Sequence, residues 1–196
     1  MLWALALLPD AAAAEKSILV FGDSLSAAYG IARSSGWVAL LEERLKRERP
    51  DYRVVNASVA GETSAEGRAR VGAALERSRP VILILELGAN DGLRGLPLAQ
   101  MKANLAAIID RSRAGGARVL LVGMKLPPNY GPDYTAAFEN SFAELAKRYQ
   151  LPFVPFLLEG FADKPDYFQA DTIHPTAEAQ PLIAARVWQQ LRPLLR

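Results

Sequence analysis

The 196-residue sequence has no cysteine, one histidine (His174) and almost no excess of either charge. The missing cysteines exclude a disulfide framework, a thiol nucleophile and any thiolate-bound zinc or iron–sulfur centre. One imidazole is too few for a multi-histidine metal site, so no metal is expected, and with no dinucleotide motif in the sequence no other cofactor is expected either. Lys and Arg number 23 against 21 Asp and Glu, a net charge of +2, which leaves no electrostatic footprint for nucleic acid. The densest charged stretch, Glu42–Arg49, mixes both signs and reads as a solvated helix face. Beyond the N-terminus, no apolar run approaches the ~20 residues that a membrane-spanning helix needs.

The remaining composition is that of a globular domain. Hydrophobic residues make up 51% of the chain and charged residues 22%, enough to build one sizeable core and unlike a disordered or collagenous chain. Met1–Leu8 is a short apolar run followed by Pro9-Asp10 and Ala11–Ala14. It resembles a secretory signal peptide ending in an Ala-x-Ala site, with no Lys or Arg before the run, as in a truncated start. A frayed or helical extension is the alternative. The expectation is a leader in residues 1–14, one domain in 15–196, and a periplasmic or secreted location.

Within that domain, apolar runs alternate with helical patterns. Ser17–Gly22, Val54–Ala57, Val81–Glu86 and Val119–Val122 read as strands, with Pro152–Pro155 a weaker fifth. Unbroken apolar runs suit parallel strands covered on both faces. Between them, Trp37/Leu40/Leu41/Leu45, Leu98/Met101/Leu105/Ile108/Ile109, Phe138/Phe142/Leu145/Tyr149 and Ile183/Val187/Leu191/Leu194 recur at helical spacing as core stripes. This alternation predicts an α/β fold with a parallel sheet and helices on both faces. Active sites in such folds form outside the carboxyl ends of the strands.

The residues expected there have two readings each. Ser24, directly after the first strand, is either a helix N-cap or a nucleophile in need of an adjacent base. Gly61 either supplies a turn dihedral or lets backbone approach a ligand closely. Asn90, in Asn90-Asp91-Gly92, is turn chemistry or a side-chain donor facing the crevice. His174 is a structural residue or the only imidazole a serine could use. Asp171, three residues upstream, could hold one ring nitrogen and leave the other free. Pro175 disfavours a helix at His174 and suits a loop that presents the ring.

Taken together, Gly22-Asp23-Ser24-Leu25, Gly61, Gly88-Ala89-Asn90-Asp91 and Asp171-Thr172-Ile173-His174 resemble, in order, the four motif blocks of the SGNH (GDSL) hydrolases. The likeness runs from Ile18 to about Leu194. It is nearest to the bacterial thioesterase I/protease I/lysophospholipase and arylesterase branch, through Val55–Ser64, Leu87–Gly95 and Leu126–Gly131. The resemblance implies a flavodoxin-like three-layer α/β/α sandwich with strand order 2-1-3-4-5. It implies Ser24 as nucleophile, His174 as general acid/base and Asp171 as its orienting carboxylate. The backbone N–H groups of Ser24 and Gly61 and the Asn90 amide would form the oxyanion hole. Chain order Ser, Asp, His is shared with α/β-hydrolases, but the Gly-x-Ser-x-Gly elbow is absent around Ser24.

The activity so implied is cofactor-free hydrolysis of acyl esters (aryl or short-to-medium-chain), acyl thioesters and lysophospholipids through an acyl-serine. The partner is then a small acyl substrate, and a monomer is compatible with the sequence. The loop Met124–Pro132 is similar to the family's mobile substrate-binding loop, with Leu126 and Pro127 as acyl contacts; its prolines and glycine equally suit an inert crossover. Two readings lie outside catalysis. One is a flavodoxin-like phosphate or flavin binder using Gly22–Ala28, which gives Asn90 and the Asp171/His174 pair no task. The other is a non-catalytic acyl- or glycan-binding module.

Overall fold

Ile18–Phe21, Ile82–Leu85 and Leu120-Leu121 are wholly buried. Such stretches carry no polar face to turn toward water, so both sides of their sheet must be covered. In the computed structural model, which describes residues 15–196, they form the centre of one parallel sheet. The leader expected in residues 1–14 lies outside the described residues. Strands β1 (Lys16–Gly22), β2 (Tyr52–Asn56), β3 (Ile82–Glu86), β4 (Arg118–Val122) and β5 (Phe153–Val154) pair in the order β2-β1-β3-β4-β5, as expected. The shortness of β5 follows from Pro152 and Pro155 on either side, since proline cannot donate to a ladder.

Alternate residues along each strand feed opposite cores. Ile18, Val20, Ile82, Ile84, Leu120 and Val122 pack with α1 (Trp37–Glu48) and α6 (Gln180–Leu191). Leu19, Phe21, Leu83, Leu85, Val119 and Leu121 pack with α2 (Ser64–Ser78), α4 (Leu98–Ala114) and α5 (Pro132–Tyr149). The short α3 (Ala89–Leu93) follows β3. The result is the expected three-layer sandwich, and the crevice opens where the order reverses between β1 and β3.

Helix α2 was not expected. Its buried face is Gly67, Val71, Gly72 and Ala74 rather than a stripe of large residues. A Cβ on Gly67 would lie 2.5 Å from Leu87 Cδ1, so the glycine lets this helix press against the end of β3. Thr63, two residues after Gly61, and Glu66 form a reciprocal capping box that starts α2.

Candidate active site

No helix follows Ser24. Residues 24–30 run through consecutive turns, and α1 begins only at Trp37, so the N-cap reading fails. The Ser24 hydroxyl instead lies 2.9 Å from His174 Nε2. Its turn is pinned from inside: Asp23 Oδ1 accepts from the Leu25 N–H over 3.0 Å, and Glu86 Oε2 from Ser26 Oγ over 2.7 Å. A Cβ on Gly22 would fall 2.6 Å from that Glu86 oxygen, which explains why the chain reaches Ser24 through glycine.

His174 is held from the other side. Its Nδ1 lies 2.7 Å from Asp171 Oδ2. Asp171 Oδ1 accepts the backbone N–H of Ile173 over 3.0 Å and that of His174 over 2.9 Å. The His174 backbone N–H, then its ring, hold the Asp171 carboxyl down at about 2. An ionised carboxylate only accepts, so Nδ1 carries the ring proton and Nε2 is left to accept from Ser24. Thr172, at φ +61°, turns the short Asp171–His174 loop back on itself.

Gly61 has φ +79°, a conformation that side chains resist, and its carbonyl accepts from Arg94 Nη2 over 2.8 Å. Neither the Ser24 nor the Gly61 backbone N–H donates to an acceptor among the described residues. Asn90 lies in α3, and its Nδ2 donates to Asp23 Oδ2 over 3.2 Å and to Glu62 O over 3.1 Å. The next residue, Asp91, is buried and accepts Ser64 N over 2.7 Å and Ser64 Oγ over 2.6 Å. Asn104 Nδ2 donates to the same Ser64 hydroxyl over 3.1 Å. The start of α2, the start of α3 and the middle of α4 are thereby bolted together behind Asn90.

Two carboxyls lie beneath the site, out of water. Burial raises Asp23 to about 7 and holds Glu86 well above the usual carboxylate range, the Asp23 charge pushing Glu86 further up. Ser26 spends its hydroxyl on Glu86, so a carboxyl occupies the floor where a phosphate binder would need donors. Beside Asn90 and His174 runs an apolar cleft of about 480 Å³, lined among others by Ala89, Leu93, Leu126, Pro127, Phe156 and Ile173. Leu126 is largely buried and doubles as core, whereas Pro127 is exposed at the rim. Among the described residues, no cluster of three or more His, Asp or Glu is placed to hold a metal ion.

Residues 20–181 match the model of the GDSL-like lipase/acylhydrolase family. The chain belongs to that family. The esterase TesA of Pseudomonas aeruginosa is 51% identical over 98% of this chain and 95% of its own. The thioesterase 1/protease 1/lysophospholipase L1 of Escherichia coli K12 is 42% identical over 97% of this chain and 90% of its own. Among solved structures, the psychrotrophic esterase EstA of Pseudoalteromonas, inhibited by monoethylphosphonate, superposes with a TM-score of 0.87 at 40% identity, covering 92% of this chain and 98% of that one.

The structure joins Ser24, His174 and Asp171 directly, and Asn90, in α3, bonds to Asp23 and Glu62, the chain neighbours of Ser24 and Gly61. What the sequence did not point to is the supporting set: Asp23, Glu86, Ser64, Asp91 and Asn104. Asp23 and Asp91 sit inside the quoted motifs and could have been suspected there. Glu86 ends a buried strand, where a carboxyl is costly unless held by partners, and that incongruity was its one signal.

Proposed function

We propose that this chain is a serine esterase and thioesterase that cleaves acyl esters and thioesters through an acyl-Ser24 intermediate. Ser24 Oγ attacks the acyl carbonyl carbon while His174 Nε2 takes its proton. Asp171 keeps the ring oriented and stabilises the imidazolium. The new oxyanion is met by the Ser24 and Gly61 N–H groups and the Asn90 amide. The bond to the leaving oxygen or sulfur then breaks, and His174 returns the proton to the departing alcohol or thiol. Water repeats the cycle on the acyl-enzyme.

The observation that carries this reading is the continuous relay from Asp171 through His174 to Ser24, with contacts of 2.7 and 2.9 Å. The apolar cleft bounded by Leu126 and Pro127 suits the acyl chain, and the thioesterase and lysophospholipase names of the Escherichia coli relative support a lipid-derived substrate. The leader-like residues 1–14 support action in the periplasm or outside the cell.

A fluorophosphonate probe tests the proposal. Stoichiometric labelling mapped to Ser24, and lost in Ser24→Ala, is expected. Labelling elsewhere, or hydrolysis surviving in Ser24→Ala, would overturn it.

A further inference from the structure

An acyl carbonyl bonded to Ser24 has three directions to fill. Its oxygen faces the N–H donors, its acyl chain has the apolar cleft, and its leaving group must lie next to His174 Nε2, which protonates it. The side chain packed on the imidazole is Tyr29, whose ring centroid is 4.4 Å from that of His174 with the planes inclined by 37°. Tyr29 does not line the acyl cleft. It is nevertheless 52% exposed.

The chain presents this ring deliberately. Ala28 adopts φ +60° immediately before it, and Gly30 adopts φ +74° immediately after. Gln169 Nε2 donates to Tyr29 O over 2.8 Å and to Pro175 O over 3.1 Å, tying the turn that carries Tyr29 to the loop that carries His174. A Cβ at Gly30 would collide with Gln169 Oε1 at 2.0 Å, so the residue after Tyr29 is glycine to admit this tether. Part of the tyrosine ring packs on His174, and its exposed half is free to meet a ligand.

We infer that Tyr29 forms a leaving-group subsite that favours planar aromatic alcohols over saturated ones of the same size. The inference rests on the hydrolase reading above and adds a selectivity to it. Offset or edge-on contact with the exposed part of the ring rewards an aryl group beyond its buried area. A saturated ring gains only the area.

The test compares phenyl butyrate with cyclohexyl butyrate, which share an acyl group and nearly share leaving-group size. Intrinsic reactivity cancels when each variant is referred to the parent chain. Tyr29→Leu is expected to lower the phenyl-to-cyclohexyl ratio of kcat/KM by about 2- to 10-fold, the range of an aromatic pair. Tyr29→Phe is expected to keep the ratio. Equal losses on both esters in Tyr29→Leu would show that Tyr29 only positions His174 and would overturn the subsite, as would an unchanged ratio. Those results leave the hydrolase reading standing; a parent chain inert toward both esters would overturn the two together.

Discussion

Glu86 lies beneath the turn that carries Ser24 and accepts the Ser26 hydroxyl over 2.7 Å. The same oxygen is 3.3 Å from the Asp23 N–H, so two buried carboxyl residues share one small space. Burial raises Asp23 from 3.8 to about 7 and Glu86 well above its ordinary value. A carboxyl raised on folding binds its proton more tightly in the folded chain. Its stabilisation is complete below the unfolded value and is lost as pH rises through the folded one. Unfolding free energy from urea titrations is therefore expected to fall from about pH 5 to pH 8 through this pair. Asp51 and Asp171, both lowered to about 2, act in the opposite direction but below that window. Glu86→Gln keeps an acceptor for Ser26 and removes one charge, so it should flatten the slope; a slope identical to the parent's would refute the assignment.

Asp171→Asn separates charge from scaffolding. The variant keeps an oxygen for the backbone N–H groups of Ile173 and His174, which Asp171 Oδ1 holds at 3.0 and 2.9 Å. What it loses is the carboxylate facing Nδ1, and with it the tautomer that leaves Nε2 free. A fall in kcat of about 10³- to 10⁴-fold with little change in melting temperature is expected. A loss smaller than tenfold would mean that His174 is oriented by something other than Asp171.

The architecture was legible because this fold advertises itself. Ile18–Phe21 and Ile82–Leu85 are unbroken apolar runs, and only a sheet covered on both faces accommodates them. The stripes of α1, α4, α5 and α6 are built from large side chains, which give helical periodicity its contrast. Helix α2 escaped because close approach to the sheet requires Gly67 and Ala74, and small residues blur the period. Its capping box, Thr63 to Glu66, was the readable sign. The N-cap reading of Ser24 failed for a different reason: Asp23 and Ser26 bond across the chain to Glu86, and contacts that distant leave no local pattern. The five motif residues could be picked out because they fall in four short motif blocks, three of which follow β1, β2 and β3 closely in the chain, where strand ends converge on one crevice in a parallel sheet.

Asn90 tests the oxyanion reading. Its Nδ2 reaches Asp23 and Glu62 in the free protein, so the amide is aimed before any substrate arrives. A donor fixed in advance stabilises charge that develops only in the transition state. Asn90→Ala is expected to lower kcat by about 10²- to 10³-fold with KM nearly unchanged. A raised KM at preserved kcat would instead make Asn90 a ground-state binder.

Asp91 contributes from one position further along α3, without facing substrate. Its two oxygens accept Ser64 N at 2.7 Å and Ser64 Oγ at 2.6 Å, and Asn104 completes the buried group. Asp91→Ala would strand both Ser64 donors away from water, at about 1–3 kcal/mol for a buried unsatisfied group. Chemical denaturation should register that loss directly. Because Asn90 rides on the same short helix, kcat should fall as well, while the double variant Asn90→Ala/Asp91→Ala should lose little more activity than Asn90→Ala alone. If the two losses in activity multiplied instead, Asp91 would act on catalysis by a route that does not pass through Asn90, and its role as the anchor of the oxyanion donor would be wrong.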